Sequence, residues 1–84
     1  MQYRIDCGHI QTAAELHRIL AQTLSFPEWY GHNLDALYDC LTELPEETTV
    51  ILSNWTEAGP FIWGFHSAMS DAQQDSSNFT VVFE

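Results

Sequence analysis

The 84-residue sequence predicts an α/β fold, a small three-stranded parallel sheet packed by helices, as a single domain over residues 1–84. Strand-like runs lie at residues 1–6, 49–52 and 79–83, and segments with helical periodicity separate them. Connections that pass through helices are typical of parallel strands. No linker, repeat or low-complexity segment interrupts this order, and a chain of this length can build one hydrophobic core.

The first quarter of the chain predicts a strand and a helix. Apolar and polar residues alternate over residues 1–6, which is the period of a strand. Thr12 and Glu15 have the spacing of a capping box, so a helix is expected to begin there and to end before Pro27. The apolar stripe of this helix consists of Leu16, Ile19, Leu20 and Leu24.

A second helix is expected to begin at Asn33, a favourable N-cap residue. Its apolar face consists of Leu34, Leu37, Tyr38 and Leu41. Asp35, Asp39 and Glu43 are spaced four residues apart and stack on another face; we call these three residues the acidic ridge. Like charges at this spacing cost roughly 0.2–0.5 kcal/mol per pair, and residues 25–44 contain no Lys or Arg. The ridge therefore indicates a ligand outside the chain.

A compact connection at residues 27–32 precedes the acidic helix, and Gly31 is expected to have a positive φ there. Trp29 in this loop and Tyr38 on the helix lie beside the carboxylates. Because Trp and Tyr are favoured at protein interfaces, they indicate a protein-binding surface, with a solvated charged face as the alternative.

The second half of the chain predicts the rest of the sheet. The β-branched run at 49–52 is typical of a strand buried on both faces. Pro60 suits the first position of a third helix, and Trp55 and Trp63 are expected in the core. The core face of that helix consists of Phe61, Phe65, Ala68, Met69 and Ala72. Residues 79–83 form a nearly all-apolar last strand.

The net charge of −10, from 2 basic and 12 acidic residues, limits the partners. A polyanion repels nucleic acid and anionic membranes, so the expected partner is a basic protein surface, with solubility as the alternative reason for the charge. No run approaches the roughly 18 apolar residues of a membrane span, and no signal peptide begins the chain. A cytoplasmic location is expected, with Cys7 and Cys40 as free, largely buried thiols.

Catalysis and metal binding are disfavoured. A catalytic carboxylate pair needs two acids in different environments, whereas Asp35 and Asp39 are equivalent in the pattern. Calcium or magnesium would need more oxygen ligands on a flexible loop. The histidines, which lack metal-site spacing, are interpreted as surface or half-buried side chains: His9, His17, His32 and His66. No cofactor and no metal are predicted.

The stretch from Pro27 to Thr42 reads PEWYGHNLDALYDCLT, a long and specific pattern. It resembles the barstar family, bacterial intracellular inhibitors of secreted ribonucleases. Together with Leu16-His17 and weaker similarity in the last helix and strand, the resemblance covers essentially the whole chain. It implies a three-stranded parallel sheet packed by helices. It also implies a monomer that binds a basic, guanyl-type ribonuclease one-to-one, its acidic helix and preceding loop plugging the active site.

The resemblance also implies which residues bind the partner. Asp35 and Asp39 match the family's main acidic contacts, and Asp39 is expected to matter most. The other positions assigned to the interface are Trp29, Gly31, Asn33, Tyr38, Thr42 and Asp71. The sequence departs from the family at Glu43-Leu44-Pro45, so specificity for the target is expected to depend on Glu43 and Leu44.

Three hypotheses follow from these residues. The first is a ribonuclease inhibitor, with a role as the immunity protein of a cognate toxin. The second is a regulatory module that binds a basic protein other than a ribonuclease. The third, an enzyme that uses Asp35 and Asp39, has no substrate indicated by the sequence.

Overall fold

The computed structural model of the chain describes residues 1–84 and contains a three-stranded sheet with three α-helices. The strands are β1 (Gln2–Asp6), β2 (Thr48–Ser53) and β3 (Phe79–Phe83), and the helices are α1 (Ala13–Thr23), α2 (Leu34–Thr42) and α3 (Ile62–Asp75). Short 3₁₀ turns follow β1 and β2. The strand order is β1-β2-β3, and both pairings are parallel. The predicted α/β fold is confirmed. None of the helices is long and apolar enough to cross a membrane.

The strand order places all three helices on one face of the sheet. Right-handed crossovers that advance across a sheet in one direction bring their helices to the same side. The core accordingly combines one face of the strands with all three helices. Its sheet members are Ile5, Val50, Leu52, Phe79 and Val81, and its helical members are Leu16, Leu20, Leu37, Leu41, Ile62, Phe65, Met69 and Ala72.

No helix covers the other face of the sheet, yet the predicted burial of β2 on both faces is confirmed at residues 50–52. Thr49 is only half-buried on this side, whereas Ile51 is 7% exposed. Arg4 and Val82 flank Ile51 in the strand register. The Arg4 guanidinium donates to Glu84 Oε1 at 2.8 Å, which joins the two outer strands of the sheet. Side chains rather than a helix therefore shield the centre of this face.

The N-terminus of α1 has a capping arrangement close to the predicted one. Thr12 Oγ1 accepts from the Glu15 amide at 3.2 Å, as in a capping box. The Glu15 carboxylate accepts from the amide of Gln11 rather than that of Thr12, at 3.3 Å. One orphan donor of the helix end and the amide just before the N-cap are satisfied in this way.

The close approach of α2 and α3 explains a glycine inside α3. A Cβ atom on Gly64 would lie 2.8 Å from Leu34 Cδ1, so a larger residue would displace the Leu34 side chain from this contact. This contact covers only part of Leu34, which remains 36% exposed although the sequence places it on the apolar face.

Of the residues predicted in the core near α3, Trp63 is exposed, so that prediction is wrong, and three others are only half-buried. Trp63 is 62% exposed, because the buried stripe of α3 runs through Ile62 and Phe65 and leaves position 63 outside it. Trp55 is half-buried and packs edge-on against Trp63 at 5.2 Å. The helix itself begins two residues after Pro60, and both Phe61 and Ala68, predicted in its core face, are only half-buried.

Candidate functional site

Asn33 fixes the start of α2 and ties it to the preceding loop. Its Oδ1 accepts from the Ala36 amide at 2.8 Å, which confirms the predicted N-cap. Its Nδ2 donates to the Gly31 carbonyl at 3.2 Å. Leu37 and Leu41 are fully buried, so the opposite face of α2 is directed toward solvent.

The acidic ridge lies on this outward face, and Asp35, Asp39 and Glu43 are all exposed. Glu43 is the C-cap residue, one position beyond the last helical residue. None of the three has a cationic partner, because the ion pairs of the chain are Arg4–Glu84 and His9–Asp6. The charge of the ridge is therefore uncompensated within the protein.

Helix α3 adds two carboxylates to the ridge. The Tyr38 hydroxyl, between the helices, donates to Asp75 Oδ2. This hydrogen bond raises the pKa of Tyr38, and desolvation and the negative charges of Asp75, Asp71 and Asp39 raise it further. Tyr38 therefore lies near carboxylates of both helices, Asp39 on α2 and Asp71 and Asp75 on α3. We call the following five residues the acidic surface: Asp35, Asp39, Glu43, Asp71 and Asp75.

The sequence pointed to Asp71 but not to Asp75. Asp75 follows Asp71 by four residues, so both lie on the same face of α3. That four-residue spacing was the signal in the sequence from which Asp75 could have been predicted to accompany Asp71. What the sequence lacked was the packing of α3 against α2, which places this face beside the ridge.

Thr42 is half-buried at the end of α2, and its hydroxyl is engaged by the helix. Oγ1 lies 3.0 Å from the carbonyl oxygens of both Tyr38 and Asp39, which share its single hydrogen as acceptors. Its lone pairs remain available as acceptors for a donor from outside.

The loop before α2 is anchored in the core by Tyr30, which is 5% exposed. The Tyr30 hydroxyl lies 2.7 Å from Nδ1 of His17 on α1, and the His17 ring packs 4.6 Å from that of Phe65. Burial and the neighbouring His32 lower the pKa of His17, and burial raises the pKa of Tyr30. Both groups are therefore held in their neutral forms. The prediction that every histidine is exposed or half-buried is wrong for His17, which is 4% exposed.

Gly31 is required in this loop for space and not for a positive φ. The prediction of a left-handed Gly31 is wrong, because the residue with positive φ is His32, at 49°. A Cβ atom on Gly31 would lie 2.9 Å from Asn33 Nδ2, so a side chain there would displace the cap of α2.

Trp29 is 80% exposed and stands where two depressions meet. The first, of about 430 Å³, lies between the loop and α2 and is lined by Trp29, Tyr30, Gly31, Ala36, Asp39, Cys40 and Glu43. The second, of about 250 Å³, shares Trp29, Cys40 and Glu43 and continues to Leu44 and Pro45. Glu43 and Leu44 thus lie on the loop side of the site.

The two cysteines are free thiols, as expected. Cys7 is fully buried, and burial together with Asp6 raises its pKa to about 11. Cys40 is half-buried, less than expected, and burial, Glu43 and Asp39 raise its pKa. Despite the many carboxylates, no group of three or more His, Cys, Asp and Glu side chains is arranged to hold a metal ion.

A three-stranded parallel sheet with an acidic second helix is the arrangement of a known class of inhibitor proteins. The family model for barstar (barnase inhibitor) matches residues 1–84, and the chain belongs to the barstar family. A Bacillus subtilis (strain 168) protein named "Putative ribonuclease inhibitor YrdF" is 33% identical over 88 residues. The match covers 95% of this chain and 94% of that protein. The resemblance found in the sequence is confirmed.

Proposed function

We propose that this protein inhibits a ribonuclease by inserting the acidic surface and the loop at residues 27–32 into the enzyme's RNA-binding cleft. A cleft that binds RNA phosphates presents basic side chains, and the acidic surface is their electrostatic complement. The observation that carries the proposal is the set of five carboxylates with no cationic partner in the chain. Membership of the barstar family and the name of the Bacillus subtilis relative support a ribonuclease as the target.

The rigidity of the site supports inhibition by occlusion. The buried Leu37 and Leu41 hold α2, and Tyr30 holds the loop, before any partner binds. A preorganised surface loses little conformational freedom on binding. Carboxylates carried by an anchored helix can accept bidentate hydrogen bonds from arginine in place of phosphate. Inhibition of this kind needs no chemistry from the inhibitor.

The proposed target is a small, basic, guanyl-type microbial ribonuclease, bound one-to-one by a monomeric inhibitor. An inhibitor of this kind would serve as the immunity protein of a secreted ribonuclease toxin, because it would protect the cell that makes the enzyme. The Asp35, Asp39 and Asp71 carboxylates are proposed to bind basic residues of the target. Asn33 and Thr42 are proposed to border this contact.

A charge-matched pair of variants tests the proposal. Asp39→Asn and Glu47→Gln each remove one negative charge with little change in shape. Glu47 lies beside Gln2 and Thr49 in a depression that no residue of the acidic surface lines. Asp39→Asn should weaken inhibition of RNA cleavage about 10- to 100-fold, because hydrogen bonds to charged groups are worth about 1.5–3 kcal/mol. Glu47→Gln should leave it nearly unchanged.

Salt provides a second measurement in the same experiment. The association rate of the wild-type protein should fall as ionic strength rises, because exposed charges are screened beyond about 10 Å at 0.1 M. The proposal is wrong if an Asp35→Asn/Asp39→Asn double variant inhibits every cognate candidate as well as the wild type does.

A further inference from the structure

We infer that Trp29 and Glu43 form a binding position for a single arginine side chain of the partner protein, beside Asp39. The inference rests on the proposed function and specifies one feature of the partner's surface. It concerns the junction of the two depressions described above, where the loop faces the C-terminal half of α2.

The junction combines one flat aromatic ring with two carboxylates. Trp29 lines it from the loop and is 80% exposed. Glu43, the C-cap of α2, lines both depressions, and Asp39, four residues before it, lines the first. Cys40, half-buried, borders both depressions. Contact between such an exposed aromatic side chain and water is unfavourable, and a partner that covers the ring would remove this cost.

A guanidinium group fits this arrangement better than other groups. It is planar, stacks on an indole ring, and donates to two carboxylates at once. Its aliphatic stem can lie along the second depression, whose apolar lining comprises Leu24, Phe26, Pro27 and Leu44. A lysine ammonium is a compact point charge and gains less from a flat ring.

The charge at this position excludes anionic occupants. Asp39 and Glu43 contribute to raising the pKa of the Cys40 thiol, so the local potential is negative. Neither Arg4 nor Arg18 lines either depression, so the chain supplies no cation of its own. A cation has to come from the partner.

The test uses short peptides and does not depend on which ribonuclease is bound. The full-length protein, labelled with ¹⁵N, is titrated with acetyl-Gly-Arg-Gly-amide and with the same peptide carrying citrulline. Citrulline has the shape of arginine without its charge. The arginine peptide should shift the Trp29 indole N–H signal and the Glu43 backbone amide. The Trp55 and Trp63 indoles serve as internal controls, and the citrulline peptide should give no comparable shift.

The variant Glu43→Gln should weaken this peptide response about two- to fivefold, as expected for an exposed ion pair. Glu47→Gln, the matched control, should leave it unchanged. The inference is overturned if the arginine peptide shifts Trp29 no more than Trp63, or if Glu43→Gln keeps the full response.

The inhibition assay separates the two proposals. Trp29→Leu and Glu43→Gln should each weaken inhibition about two- to tenfold. Their combined effect should be smaller than the product, because both remove contacts with the same guanidinium. If Asp39→Asn impairs inhibition and these variants do not, the proposed function stands and the arginine position is wrong. If the arginine peptide localises to Trp29 and Glu43 but no ribonuclease is inhibited, the arginine position stands and the proposed function is wrong.

Discussion

The Tyr38 hydroxyl donates a hydrogen bond to Asp75 Oδ2, and this contact joins α2 to α3 in the middle of the acidic surface. Asp39 and Asp71 lie near the same phenol. A lysine at position 38 would also tie the helices together, but it would neutralise the surface. Tyrosine supplies a donor without adding positive charge, so the acidic surface stays available to an external cation.

The first prediction concerns this hydrogen bond. Tyr38→Phe keeps the ring and removes the donor, so Asp75 faces the other carboxylates without compensation. We expect a lower free energy of unfolding in urea, and we expect added salt to restore part of it by screening the repulsion. Tyr3→Phe is the matched control, because the exposed Tyr3 hydroxyl contacts only Met1 Sδ, at 2.9 Å. Equal behaviour of the two variants would contradict the prediction.

Alkaline pH tests the same contact. The folded protein raises the pKa of Tyr38 above 10.0, mainly through the hydrogen bond to Asp75. The stabilisation from Tyr38 is therefore complete below pH 10 and is lost as the pH rises through the folded-state pKa. Tyr38→Phe should lose less stability over this range than the wild type.

The second prediction concerns the loop glycine. Gly31→Ala should displace the Asn33 side chain and weaken the cap of α2, at a cost of about 0.5–2 kcal/mol in the free energy of unfolding. Asn33→Ala should cost a similar amount. The double variant should cost about as much as Asn33→Ala alone, since both changes remove the same cap. Additive losses would show that Gly31 acts by another route.

The sequence was sufficient for those parts of the molecule that local rules determine. Alternation identified the first strand correctly, continuous apolar runs identified the other two, and helical periodicity with the cap residue Asn33 identified α2. The acidic ridge followed from spacing alone. These features depend on contacts within one helix or strand, and the spacing of apolar and charged residues in the sequence reflects such contacts directly.

Features that depend on packing between elements were not predictable in this way. His17 is buried because Tyr30, 13 residues later, reaches its Nδ1. Asp75 joins the acidic surface only through the packing of α3 on α2, and Trp63 is exposed because α3 presents another stripe to the core. One face of the sheet has no helix on it because of the strand order, and the sequence does not reveal that order.

The third prediction concerns acid sensitivity. Burial and His32 lower the pKa of His17 below 6.5, so the unfolded state binds its proton more readily than the folded state. Stability due to His17 is present above pH 6.5 and declines as the pH falls toward the folded-state pKa.

The unfolding free energy of His17→Gln, although lower at neutral pH, should therefore change less between about pH 8 and pH 5 than that of the wild type. His9→Gln is the control, since the His9 side chain is 91% exposed. The interpretation fails if both variants keep the wild-type pH dependence.

The last prediction concerns the free edge of β3. The Asn78 carbonyl and the Glu84 amide form hydrogen bonds with β2. The backbone N–H and C=O groups of residues 79, 81 and 83 therefore point away from the sheet. Among these outward amides, that of Val81 donates to Gln73 Oε1 at 2.8 Å. Phe79–Phe83 carries no charge, whereas the other edge strand carries Arg4 and Asp6. Charged side chains protect an edge from pairing with another chain, and β3 has Gln73 instead.

Gln73→Ala should speed hydrogen exchange of the Val81 amide roughly fivefold, the equivalent of a hydrogen bond worth about 1 kcal/mol. It should also promote association between copies through β3. This association should increase with salt, because copies with a net charge of −10 repel each other, whereas salt weakens association with a basic partner. Gln74→Ala removes the neighbouring exposed amide and should change neither property. Gln73→Glu keeps an acceptor for the Val81 amide and should remain monomeric in sedimentation experiments. If Gln73→Glu associates as strongly as Gln73→Ala, the Val81 hydrogen bond is not what keeps the edge of β3 unpaired.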